Sequence, residues 1–310
     1  MLPPNELLPD TLPTDRLTAA GRPVPAVREE LRRISDARSV LTVLGAYLQS
    51  FGVIALAVWI GQPWAYAVAF VLMGRAHCLY NILGHEAAHR LLFNDKRVND
   101  FVGKWLLAYP SFQAIDLYRR AHMGHHRDEF GPNEPDLDLY NGYPITRDSF
   151  WRKMRRDALF VSGWKNLKPL LKAVGKSSSR RVALEILGVQ AVILALFTLA
   201  GRPWLYPLLW LAPWMTVWRV LNRLRAIAEH GGMTRSADRR LTTHVIRQTR
   251  WARFWMVPYH TGWHLAHHVD IGIPWRNLPA FHRELVGAGW IPTGLEYPNY
   301  RALWRALRSR

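Results

Sequence analysis

Residues 40–60 read VLTVLGAYLQSFGVIALAVWI, a run without a single Asp, Glu, Lys or Arg. At about 1.5 Å of rise per residue, a helix of that length crosses the ~30 Å of hydrocarbon in a bilayer. Gly61-Gln62-Pro63-Trp64 closes the run with a turn that has no room for charge, and 65–83 starts a second apolar run. That second run carries Arg75 and His77 in its later half. Polar groups at such depth face a protein interior, so the end of this helix is expected to approach a site. The pattern recurs at 183–200, Gly201-Arg202-Pro203-Trp204 and 205–221. Two hairpins therefore predict an all-α integral membrane protein with four transmembrane helices. Trp59, Trp64, Trp204, Trp210, Trp214 and Trp218 flank the runs as interface anchors do. A tryptophan-rich soluble core is the alternative, and the length of the runs speaks against it.

Lys and Arg crowd the outer ends of both hairpins, within 28–38, 90–97, 176–181 and 219–225. The positive-inside rule then puts both termini and the whole of 90–182 in the cytoplasm, where a helical cap is expected. The formal charge of +18 also invites a nucleic-acid reading, but no helix-turn-helix, zinc-finger or RNP-like pattern accompanies it. Anionic headgroups, topology or an acidic protein partner account better for basic residues beside apolar spans. The single cysteine, Cys78, excludes an intramolecular disulfide and any Cys-ligated zinc or iron–sulfur site.

Three parts are expected: a cytosolic tail and amphipathic helix over 1–39, a membrane domain over 40–285, and a basic segment over 286–310. The proline-rich start is unlike a secretory signal peptide. Val27, Leu31 and Ile34 alternate with Arg28, Arg32, Arg33 and Arg38, which suits a helix on a membrane surface between 25 and 39. Residues 100–118, apolar but broken by Lys104 and Pro110, read as an interfacial or re-entrant segment. The basic stretch 151–181, with interspersed Trp, Phe and Leu, fits a helix lying on the membrane or a docking face for an acidic electron carrier.

The histidines carry the chemistry. His85-Glu86-Ala87-Ala88-His89 comes after the second run, and His122-Met123-Gly124-His125-His126 returns in pattern as His264-Leu265-Ala266-His267-His268. On a helix, rings four residues apart stack on one face and converge on an ion, while an H-x-x-H-H run spreads three rings over an arc that can serve two ions. His230, about two turns past the last apolar run, makes nine candidate ligands. Nine is too many for one ion and suits two irons with positions open for O2. Carboxylates should accept the outer ring N–H groups, and Glu86, Asp136, Asp138, Glu229 and Asp270 stand near the ligands in sequence. Each could equally be a solvated surface acid. His260, one turn before His264, is a tenth ligand or an outer donor; His77 is a satisfied polar group within a span, and His244 and His282 read as surface residues.

With these boxes the chain resembles the membrane fatty acid desaturase superfamily, which also contains alkane and fatty-acyl hydroxylases and carotenoid ketolases. The resemblance rests on His85-x-x-x-His89, His122-x-x-His125-His126 and His264-x-x-His267-His268, with His230 as the further ligand after the last span. Asn133-Glu134-Pro135-Asp136 and Ile273-Pro274-Trp275-Arg276-Asn277-Leu278-Pro279 are similar to the segments just after the second and third boxes in that family. It covers roughly residues 40–285, leaving both ends without a counterpart. It implies a non-haem di-iron enzyme that uses O2 to abstract hydrogens from an unactivated methylene of a fatty-acyl substrate. A second abstraction gives the alkene and oxygen rebound the alcohol. The chain has no cytochrome b5 segment with His-Pro-Gly-Gly and no flavin or ferredoxin module, so a separate donor of ferredoxin or rubredoxin type, with its reductase, is expected. An apolar tunnel for the acyl chain is expected between the second and fourth spans and 100–118, and Arg119, Arg120 or Arg223 could hold an anionic head group. Topology alone also explains those arginines.

Two rivals remain at this level. His85-Glu86-Ala87-Ala88-His89 satisfies the H-E-x-x-H pattern of a zinc protease, which leaves six or so clustered histidines unexplained. A transporter or metal-binding membrane protein would place its ionisable groups at mid-span, whereas these boxes fall at the cytosolic side.

Overall fold

The computed structural model describes residues 8 and 10–309, so part of the N-terminal tail expected from the sequence lies outside the described residues. The helices run in chain order as α1 (Pro25–Leu31), α2 (Asp36–Ile60), α3 (Pro63–Ala88), α4 (Lys96–Phe101), α5 (Ile115–Arg127), α6 (Leu137–Tyr140), α7 (Arg147–Ala158) and α8 (Val161–Ala173). They continue as α9 (Ser177–Leu199), α10 (Ala212–Met215), α11 (Val217–His230), α12 (Arg250–Trp255), α13 (His264–Val269), α14 (Leu278–Gly287) and α15 (Tyr300–Leu307). Two short strands, β1 (Val245–Ile246) and β2 (Glu296–Tyr297), pair in parallel with Val245 opposite Glu296.

The chain divides into two compact units. One holds 35–118 and 151–222; the other holds the described residues up to 34, with 119–150 and 223–309.

The first unit is built on apolar helices. Among the described residues three helices are long and apolar enough to cross a membrane: α2, α3 and α9. Gly61, at φ 69°, ends α2 in the left-handed conformation that lacks a steric penalty only for glycine, and Pro63 opens α3 where its missing N–H costs nothing. Leu41, Leu48 and Trp59 on α2 stand exposed, as side chains facing lipid do.

The expected fourth span, 205–221, is not one helix. A π-helical turn over Tyr206–Leu211 leads into α10, and the backbone breaks at Thr216 (φ −126°, ψ −84°) before α11 begins. Pro207 and Pro213 each remove a backbone donor from this stretch, so an unbroken ladder of i→i−4 bonds cannot form there. The third span also differs, starting at Ser177 rather than 183. At the N-terminal end the amphipathic stretch 25–39 splits, with α1 ending at Leu31 and α2 restarting at Asp36, whose carboxylate accepts from Asn94 N at 2.9 Å.

Irregular backbone over 102–111 is tied into this unit by side chains. A π-helical stretch (Val102–Ala108) passes into a short 3₁₀ turn (Tyr109–Ser111). Gln190 Nε2 donates to the Tyr109 carbonyl at 2.7 Å, and Trp210 Nε1 donates to the Pro110 carbonyl at 3.1 Å. Away from water such carbonyls need protein donors. His77 is satisfied as expected, between Ser111 Oγ (3.0 Å) and the Trp210 carbonyl (2.9 Å).

The second unit packs a core of Leu17, Leu31, Leu265, Ile273, Phe281 and Trp290. Residues expected as a tail contribute to it. Leu17 bridges to Pro23, and Gly21 (φ 75°) passes so close to Trp290 that a Cβ there would sit 2.7 Å from the ring. Arg16 pairs with Glu284 at 2.8 Å, and Asn277 Nδ2 caps the Leu31 carbonyl at 2.8 Å. The C-terminal segment joins the same unit through β2 and through Trp304 Nε1, which donates to the Leu224 carbonyl at 3.0 Å.

Candidate metal centre

Seven histidines gather in the second unit. The second box stands on α5, the third box makes up most of α13, and His230 is the last residue of α11. All seven rings are buried.

Their nitrogens divide into an outer and an inner set. At His230, Nδ1 lies 2.8 Å from the Thr242 carbonyl, which can only accept, so the ring proton sits on Nδ1. His268 Nδ1 is bonded to Glu129, and His125 Nδ1 to Glu134, with Tyr140 Oη at 3.2 Å. His264 Nδ1 faces Glu229 at 3.5 Å. With their outer nitrogens protonated, Nε2 of His230 and of His268 carries a lone pair. Both lone pairs face His264 Nε2, at 3.1 Å and 3.0 Å. A second convergence joins His126 Nε2 to His122 Nε2 at 3.0 Å and to His267 Nε2 at 3.1 Å.

A neutral His264 has one proton and cannot serve both lone pairs, whereas a cation among the rings satisfies every nitrogen. Protonation is a poor remedy here. Burial lowers the His230 pKa to about 3, aided by His125, and burial with neighbouring imidazoles holds His264 and His268 well below the ordinary value. His125 moves the other way: burial opposes its charge, but the hydrogen bond and charge of Glu134 outweigh it. Sets with ligand atoms within 4.8 Å of one another include His125, His230 and His268, and also His126, Glu129 and His268. Glu129 Oε2 is buried without a hydrogen-bond partner, a further acceptor that a cation would satisfy. The donor set, neutral imidazoles backed by carboxylates, fits a transition metal.

His85 and His89 belong to the other unit. They close α3 one turn apart, with ring centroids 4.7 Å from each other.

The proposed outer carboxylates fare unequally. Glu229 Oε1 lies 3.5 Å from His264 Nδ1 without a hydrogen bond between them, and burial raises the Glu229 pKa. Asp136 is half-buried, and burial raises its pKa. Asp138 is exposed. Asp270 turns to Arg28 and the Gly272 amide instead of a histidine. Glu86 is buried within α3. His260 packs between Trp263 and Trp275, with Nδ1 3.4 Å from Arg253, away from the ring cluster. His244 corrects the surface expectation, being buried with Nε2 on the Gly231 carbonyl at 2.8 Å. Arg120 is exposed, while Arg119 and Arg223 are half-buried. Sequence reasoning missed Glu129, Glu134 and Thr242.

Membrane-length apolar helices together with a buried imidazole cluster able to hold metal define a class, the histidine-rich helical membrane proteins. Residues 61–301 match the profile described as fatty acid desaturase, and the chain belongs to that family. It is 26% identical over 272 residues to the dihydrorhizobitoxine desaturase of Bradyrhizobium elkanii, covering 80% of this chain and 76% of that protein. It is 24% identical over 253 residues to the sn-1 oleoyl-lipid 12-desaturase of Arthrospira platensis, covering 73% and 68%. The chain is thus a membrane-associated oxidoreductase of fatty acid desaturase type, acting on lipid.

Proposed function

We propose that the chain is an O2-dependent, non-haem di-iron desaturase that introduces a double bond into a fatty-acyl chain, with electrons from a separate carrier protein. The observation that carries this reading is the pair of Nε2 lone pairs of His230 and His268, turned inward by acceptors on their outer nitrogens and both meeting His264 Nε2. The ligands of this reading are His85, His89, His122, His125, His126, His230, His264, His267 and His268. Two ions account for that many imidazoles better than one.

Iron held there supplies the one-electron chemistry that lets O2 act on an unactivated C–H bond. The protein's own part is positional. Glu129 and Glu134 fix ring orientation and bring negative charge up to the imidazoles. An apolar tunnel holds two neighbouring methylenes in place, and small differences in that placement separate desaturation from hydroxylation. For each double bond the substrate gives up two hydrogens, the carrier two electrons and the medium two protons, and O2 leaves as two waters. Membership of the family and the name of the oleoyl-lipid 12-desaturase favour an acyl chain as substrate and the double bond as product. The charge at the helix ends favours two hairpins, four crossings and a cytosolic site, the broken stretch from Leu205 onward making the fourth crossing.

Metal analysis and lipid mass spectrometry test the reading together. Wild-type protein should hold about two irons per chain, and lipids of expressing cells should gain a species two hydrogens lighter. His268→Ala should lose both. Zinc in place of iron would sink the proposal, and a product heavier by one oxygen would move the reaction to hydroxylation.

A further inference from the structure

A cleft of about 430 Å³ opens beside the second and third boxes, and Arg22, Arg28, Arg239, Asp270, His126 and His268 are among the residues that line it. Arg22 is exposed at its edge, whereas His126 and His268 are 5% and 3% exposed, so imidazole forms its floor. The rim is guanidinium. Its one carboxylate, Asp270, is taken by Arg28. Arg239 is held by Glu129 and by the His126 carbonyl at 2.8 Å, which links the rim to His268 through a single glutamate. The Arg22 guanidinium has no side-chain partner among the described residues. A second cleft of about 380 Å³ shares Arg22, Arg239 and Val269, and adds Arg240, which is paired with Asp238.

What the rim lacks is as informative as what it has. Large exposed apolar side chains crowd α2, the α7–α8 region, α9 and α12, and none of them lines either cleft. A lipid surface is bound by basic residues together with apolar ones that can be buried in it. The apolar residues that do line the clefts, among them Pro23, Val269 and Ile271, are not large exposed side chains, and charge without such anchors fits a water-soluble acidic partner.

We propose that this cleft is the docking site of the electron donor, a small acidic one-electron carrier protein. Carboxylates of the carrier meet Arg22, Arg28 and Arg239, and its redox group is brought over the edges of His126 and His268. The inference rests on the reading of those histidines as ligands of a metal centre. Two encounters supply the two electrons for each double bond, and each oxidises one carrier by one electron.

The test uses the full chain in phosphatidylcholine nanodiscs, titrated with an acidic [2Fe–2S] ferredoxin at low and moderate salt. Arg22→Glu should weaken binding about tenfold and flatten its salt dependence, and Arg22→Lys should bind nearly as wild type. Arg301→Glu, an exposed charge reversal on α15, should have little effect. Binding that is unchanged in Arg22→Glu, or weakened as much by Arg301→Glu, overturns the docking site. It is also overturned if Arg22→Glu binds ferredoxin normally but the purified protein retains less phosphatidylglycerol, for then lipid occupies the cleft. Iron content of the same preparations separates the two levels. Full iron with an unmoved ferredoxin affinity sinks the docking site alone, whereas an iron-free chain that still binds through Arg22 keeps the surface and sinks the metal reading.

Discussion

A neutral imidazole has two nitrogens and one proton, so the group that takes the proton on one side decides what the other side can do. Thr242 settles that at His230, Glu129 at His268 and Glu134 at His125. Removing such a partner should loosen the metal without removing a ligand. Glu134→Ala is expected to lower metal affinity ~10–100-fold, read as the chelator concentration that strips half the iron, with Glu134→Gln in between. Retention equal to wild type in both variants would show that the pair does not matter. His244 offers a second test, outside the ligand set. Burial lowers its pKa from 6.5 to about 4 in the folded protein, so the unfolded chain takes up the proton first. Its contribution to stability is complete above about pH 6.5 and is lost as pH falls toward 4. Wild type should therefore lose more stability than His244→Gln between pH 7 and pH 5 in denaturant titrations, and equal losses would remove His244 from the account. The histidines themselves were legible in the sequence because helical spacing alone puts their rings on one face. Their carboxylates were not, because proximity in sequence says little about which acid reaches a ring. Asp270 stands two residues past the third box yet pairs with Arg28, while Glu129 crosses from the second box to His268.

Elements of this protein are positioned by close approaches that hydropathy does not register. The run 205–221 has the composition of a span, and the break at Thr216 became visible only with the backbone in place. Pro207 and Pro213 were the signal in the sequence. Gly74 on α3 shows what the broken stretch packs against, since a Cβ there would lie 2.3 Å from Val217 Cβ and 3.2 Å from Trp218 N. Two effects oppose each other in Gly74→Ala. Helix propensity favours alanine by ~1 kcal/mol, and overpacking against a β-branched side chain and backbone costs ~1–3 kcal/mol. The clash should win, so Gly74→Ala is expected to lower the thermal midpoint, with a net loss on the order of 1 kcal/mol. Gly52→Ala on α2, where nothing lies within 4 Å, isolates the propensity term and should not destabilise. Equal midpoints for the two variants would mean that α3 and Val217 are not held at this separation. The three long spans were legible to within a few residues because lipid demands an unbroken apolar stretch, whereas helix ends answer to local caps.

At the scale of the whole molecule the open quantity is orientation, and charge alone decides it. Basic residues gather before α2, after α3, before α9 and along α11, while the turns at Gly61 and Gly201 are nearly bare of them. Moving these clusters across a membrane is unfavourable, and the cytoplasmic leaflet is the anionic one, so both turns are expected on the far side. Single cysteines make this measurable, because Cys78 is buried and should contribute little background. Gln62→Cys, in an exposed turn, should react with a membrane-impermeant maleimide added to intact cells. Arg301→Cys, exposed on α15, should react only after the membrane is opened. Labelling of both from the same side would require an odd number of crossings between residues 62 and 301 to become even, and the broken stretch from Leu205 would then have to be a segment that enters and leaves on one face. That outcome would also put the second box, which follows α3, and the third box, which follows the broken stretch, on opposite faces of the membrane; since His126 Nε2 lies 3.1 Å from His267 Nε2, it would overturn the imidazole cluster along with the four-crossing arrangement.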